Sequence, residues 1–83
     1  MKNTLKVLSA LLTYPTAELQ AAVPEMRSAI ELEGSLPQKC RLELNHILEE
    51  LATWDLYELQ ERYVLLFDRT RSLSLNLFEH VHG

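Results

Sequence analysis

The sequence predicts an all-α protein, a helical bundle fragment of four to five helices. Three observations carry that expectation. Apolar residues recur three and four apart in successive stretches, which is the spacing of one helix face. Leucine dominates over β-branched and aromatic residues, while the chain holds only 2 glycines and 3 prolines, a mixture that favours helix. No stretch shows strand-like alternation or a hairpin turn signal. With 83 residues the chain makes one small domain at most, near the size where a core alone stabilises a fold.

The first helix is expected over about residues 3–14, with Leu5, Leu8, Leu11 and Leu12 on one face and Lys2, Lys6 and Ser9 away from it. Pro15 stops it, because the residue before a proline is pushed out of the helical region. Thr16 caps a second helix that carries Glu18 in its first turn. Pro24 falls inside this second pattern and predicts a kink or a break into two pieces. Its apolar stripe is Leu19, Val23, Met26 and Ile30, and Gly34 is placed to end it. Ser35 to Gln38 has capping-box spacing and opens a third helix. That helix shows the cleanest period in the chain: Leu44, Ile47, Leu48 and Leu51 at i, i+3, i+4 and i+7. Asp55 and Glu58 supply another capping box for a fourth helix, with Leu56, Leu59, Tyr63, Leu66 and Phe67 inward and a Glu58–Arg62 pair outside.

Composition narrows the function classes. The formal charge of −4 argues against a nucleic-acid or anionic-membrane surface and suits a basic partner. Cys40 is the single cysteine, so no internal disulfide or cysteine zinc site is available, and a reducing compartment is expected. No apolar run reaches the length of a membrane span, and the first residues lack a signal-peptide cleavage pattern, so a cytoplasmic protein is expected. An enzyme is not expected: there is no phosphate-cradling glycine loop, no nucleophile elbow and no base positioned for Cys40, although Lys39 and Arg41 beside it would lower its pKa.

The run from Tyr63 to Gly83, YVLLFDRTRSLSLNLFEHVHG, is the most apolar in the chain, yet two acids, two arginines and two histidines interrupt it. A charged turn at Asp68, Arg69 and Arg71 is expected between a fourth and a fifth helix, with Asp68 pairing locally and Arg69 crossing towards Glu79. On the fifth helix Leu73, Leu75, Leu77, Phe78 and Val81 cover a broad apolar arc, opposite a ridge of Asn76, Glu79 and His80. Along the fourth, Tyr57, Glu61, Val64 and Asp68 recur at i, i+4, i+7 and i+11 beside Leu65. An apolar strip set with acids suits the groove side of helix recognition, where carboxylates meet a ligand's Lys or Arg. The same residues also read as a solvated surface carrying one exposed leucine. Glu79, His80 and His82 are candidate metal ligands by type, but histidines two apart point to roughly opposite sides of a helix, so no metal site is assigned.

The stretch LFDRTRSLSLNLFEHVHG resembles the signature of the respiratory nitrate reductase assembly chaperones of the NarJ type, within the TorD-like redox-enzyme maturation proteins. Leu11-Leu12-Thr13-Tyr14-Pro15 resembles the first helix of that family and its Tyr-Pro stop. Members continue past the His-Gly, so residues 1–83 are expected to be the N-terminal part of one larger all-helical chaperone domain. The resemblance implies a non-catalytic chaperone, with no stably bound cofactor, that binds the N-terminal signal-like peptide of the catalytic subunit. It would hold the apoenzyme in the cytoplasm for insertion of the molybdenum cofactor and iron-sulfur centre, before membrane docking. The recognised segment in that family is amphipathic and basic. Matched residue by residue, the motif points to Asp68, Arg69, Arg71, Phe78, Glu79, His80, His82 and Gly83, with Thr70 standing where a glycine is frequent. Together with Tyr57, Glu61, Val64 and Leu65, all of these except Gly83 form the candidate peptide-binding set. The competing expectation is an oligomerisation module, a domain-swapped homodimer through the apolar face of residues 73–81. A pH or metal sensor built on the histidines is a third.

Overall fold

The computed structural model describes residues 2–82, with side chains through residue 79. Five helices follow in order: α1 (Lys2–Leu11), α2 (Ala17–Ala21), α3 (Val23–Glu31), α4 (Gln38–Thr53) and α5 (Leu56–His82). The described residues contain no strand, so the fold is all-α as the composition requires. The molecule measures 39 × 22 × 17 Å. Its long axis matches the length of α5, since 27 residues at 1.5 Å per residue span about 40 Å.

The core is built around α4. Leu44, Ile47, Leu48 and Leu51 are all fully buried, as their spacing predicts. Helix α4 packs against α3, α5 and α2, and α1 lies across α3 and α5. Val23, Met26 and Ile30 of α3 close one side, while Leu59, Leu66, Leu73 and Leu77 of α5 close another. Thr16 caps α2 by accepting the Leu19 amide at 3.1 Å. The second predicted helix breaks at Ala22, and Pro24 stands in the first turn of α3, where its missing N–H costs no hydrogen bond.

Several local expectations give way to tertiary packing. Helix α1 stops at Leu11 rather than at Tyr14. Its inward face is Thr4, Val7, Leu8 and Leu11, leaving Leu5 and Leu12 exposed. Helix α3 ends at Glu31, with Leu32 as C-cap and Gly34 beyond it in an ordinary negative-φ conformation. Pro37, not Ser35, occupies the N-cap of α4, and no side chain caps it there. Leu56 is 72% exposed rather than part of the core stripe. The charged turn does not form: residues 68–71 are helical, and the predicted fourth and fifth helices are one continuous α5. The helix continues because Leu66, Leu73 and Leu77 form one buried face, and Thr70 lies between them on the core side.

Polar side chains from distant segments seal the helix ends. Buried Glu33 accepts the Asn3 and Thr4 amides at 2.7 and 3.1 Å, placing a carboxylate at the positive end of α1. Arg41 donates to the carbonyls of Ile30 and Glu33 at the end of α3. Gln20 Nε2 donates to the Leu51 and Trp54 carbonyls at 2.9 and 2.5 Å, closing the end of α4. Each bond adds a side-chain partner at or just beyond a helix end, where the regular backbone ladder stops. Leu44→Ala should cost about 2–5 kcal/mol, enough to unfold a domain of this size. Gln20→Ala should cost only about 1 kcal/mol. Thermal melts followed by circular dichroism separate the two, and equal losses would contradict the central role given to α4.

Candidate functional site

The site is the outward face of α5, and its placement follows from what holds the opposite face inward. Asp55 accepts the Glu58 amide at 2.8 Å, and Glu58 accepts the Asp55 amide at 3.3 Å, a reciprocal capping box that starts α5. Glu58 also pairs with Arg62 at 3.5 Å, one turn on. Tyr63 and Phe67, half-buried, meet edge to face at 5.8 Å, and Tyr63 packs on Tyr14 at 5.2 Å. Arg69 turns towards α4 and pairs with Glu50 instead of crossing to Glu79. Ser74 Oγ donates to the Thr70 carbonyl at 2.9 Å, four residues back.

With the inward face fixed, 100° per residue carries a second set of residues to the far side. Tyr57, Glu61, Val64, Asp68, Arg71, Leu75 and Glu79 lie there, all exposed, with Leu65 and Phe78 exposed at its two edges. Glu61 and Asp68 stand two turns apart, about 10 Å along the axis, and Glu79 follows three turns later. Neither Asp68 nor Arg71 makes an ion pair within the described residues. The face is therefore an apolar strip, with acids along it and one uncommitted arginine.

Of the residues expected to form one set, Tyr57, Glu61, Val64, Leu65, Asp68, Arg71, Phe78 and Glu79 share this side of α5, whereas Arg69 is engaged with Glu50. The side chains of His80 and His82, and Gly83, lie outside the described residues. The apolar arc expected over residues 73–81 is divided: Leu73 and Leu77 belong to the core of the chain, and Leu75 and Phe78 face out. Leu75, expected within that arc, belongs to the outward strip. Continuing the spacing of Tyr57, Glu61, Val64 and Asp68 by three and four more residues reaches Arg71 and Leu75, so the signal was present in the sequence.

Other candidates resolve less productively. His46 is exposed and lies 3.6 Å from Glu50, which Arg69 also engages. Among the described residues no group of three His, Cys, Asp or Glu side chains is arranged to hold a metal ion. One hollow, between α1 and α3, is lined by Asn3, Lys6, Val7, Met26 and Ala29, and another by Arg27, Glu49, Glu50 and Thr53; both are open to solvent. No described helix is long and apolar enough to cross a membrane.

Across 79 residues, 95% of this chain, the sequence is 44% identical to the nitrate reductase molybdenum cofactor assembly chaperone NarJ of Escherichia coli K12. The same protein from Escherichia coli O157:H7 matches equally, at 44% over the same 79 residues. Over nearly its whole length this chain is similar to NarJ. The likeness read from the terminal motif thus extends through every helix of the fold. The chain spans about a third (34%) of the length of those NarJ proteins. No family model matches it, and no solved structure does.

Cys40 contradicts its sequence reading. It is half-buried against the core, and burial, followed by the Glu43 carboxylate, raises its pKa, while Lys39 opposes with the smaller lowering effect. An unfolded thiol therefore ionises at lower pH than the folded one. The contribution of Cys40 to stability is complete below the unfolded value and is lost as pH rises through the folded one. Alkylation by iodoacetamide should be slower in the folded chain than in urea at the same pH, and equal rates would show that the thiol is neither shielded nor shifted.

Proposed function

We propose that this chain is the N-terminal part of a nitrate reductase assembly chaperone of the NarJ kind, not itself an enzyme, and that the outward face of α5 holds its client peptide. The client in this reading is the N-terminal segment of the catalytic subunit of a respiratory nitrate reductase. The chaperone would keep that apoenzyme in the cytoplasm until its molybdenum cofactor and iron-sulfur centre are in place, before membrane docking. Both cofactors belong to the client, and none is bound stably by the chaperone.

The observation that supports this most is the pairing of exposed apolar side chains with acids on one face of a rigid helix. Tyr57, Val64, Leu65, Leu75 and Phe78 offer apolar anchoring points, and Glu61, Asp68 and Glu79 offer charge for Lys or Arg. A basic amphipathic helix matches such a surface: its apolar side meets the strip, and its cations meet the acids. Because the inner side of α5 is packed on the core from Leu59 to Leu77, the face is preorganised over that stretch and binding need not fix its shape. Arg69, held by Glu50, contributes by keeping α5 on α4.

An amide titration with a synthetic peptide of that N-terminal segment tests the reading. Shifts are expected along residues 57–68 and around residues 75–79, with the α1–α3 amides unmoved. Asp68→Lys should weaken binding about tenfold and flatten its salt dependence, because one attractive charge becomes repulsive. Unchanged affinity in that variant, or shifts confined to α1–α3, would place recognition elsewhere.

A further inference from the structure

The outward face of α5 has a property that peptide binding does not require: it is complementary to itself. Its exposed residues alternate four and three apart through Tyr57, Glu61, Val64, Asp68, Arg71 and Leu75. That spacing lets a straight seam run between two helices. Opposing charges stand on either side of the mid-point, Asp68 before it and Arg71 after it, and no ion pair within the described residues engages either one. Large apolar residues stand symmetrically further out, Val64 on one side and Leu75 on the other, both more than half exposed.

We propose that this face pairs with the same face of a second copy, the two α5 helices running antiparallel about a two-fold axis that passes between Arg69 and Thr70. Counting outward from that axis, Asp68 meets Arg71 of the second copy and Arg71 meets its Asp68. Val64 likewise meets Leu75, and Leu75 meets Val64. Leu65 and Ser72 flank the seam on one side. A two-fold arrangement makes every such contact twice, which is the symmetry of the commonest protein dimers. Parallel pairing in register would instead set Glu61, Asp68 and Arg71 each against its own copy, so like charges exclude it. Two short apolar contacts and two exposed charge pairs make a weak, reversible dimer.

The seam covers Val64, Leu65 and Asp68, so a dimer and a chaperone occupied by peptide are mutually exclusive. Self-pairing would shield the apolar strip until a client competes for it. The dimer does not depend on the peptide reading, and its test contains no peptide, so one can fail without the other.

Sedimentation velocity of the 83-residue chain, over a concentration series with reductant present, reads the association directly. The chain should move from monomer to dimer mass as concentration rises. Asp68→Arg alone should raise the dimer dissociation constant about tenfold by setting two arginines together, and Arg71→Asp alone should do the same with two acids. The double variant D68R/R71D restores both opposite-charge pairs in reversed order and should recover the original dissociation constant. Both positions are exposed, and circular dichroism checks that each variant keeps its helix content. A chain that stays monomeric at every concentration would overturn the proposal. A dimer indifferent to the single reversals, or not restored by the double one, would overturn it equally.

Discussion

The structure depends on the burial of one helix face, the Leu44, Ile47, Leu48 and Leu51 stripe of α4, from which water is excluded completely. In a chain this small there is no second core to compensate for a fault in the first. Every other helix except α1 packs directly on α4, and α1 joins through α3 and α5. The surrounding segments are short: α2 has 5 residues and α3 has 9, below the length at which an isolated helix holds in water. They are helices because α4 gives their apolar sides something to cover.

The polar bonds that close the helix ends belong to the same scheme. Glu33, Arg41 and Gln20 each reach backbone groups of another segment, at or just beyond the starts and stops where the regular helix ladder ends. Each ties an end to another element, so the ends are set by tertiary contact. This is why α3 stops short of Gly34 and α4 begins at Gln38 without a local side-chain cap. Asp55 and Glu58 are the contrast: both halves of their box lie within four residues, and it formed as its spacing predicts.

Functionally, the consequence falls on α5. A helix of 27 residues has two long faces, and the four inner helices use only one. The other carries leucine, valine and tyrosine at regular intervals with acids between them, a composition that neither a plain solvated face nor a buried one needs. The two occupants proposed for this face draw on different properties of it, the peptide on the sign of its charges and the second copy on its symmetry.

The sequence by itself determined the helical class, the α4 stripe, the Thr16 cap, the break near Pro24 and the Tyr57–Asp68 periodicity. All of these rest on contacts between residues three or four apart, so local chemistry suffices to specify them. The NarJ likeness was also legible, because its motif is a string of adjacent residues. The tertiary structure alone decided that residues 68–71 continue a helix, since the burial of Leu66, Leu73 and Leu77 on one face outweighs the turn that the charges suggest. It alone sent Arg69 to Glu50, divided Leu73 and Leu77 from Leu75 and Phe78, and raised the Cys40 pKa. Each of these turns on which side of a helix meets another helix, and a periodic pattern with apolar residues on two faces does not say which face the core will take.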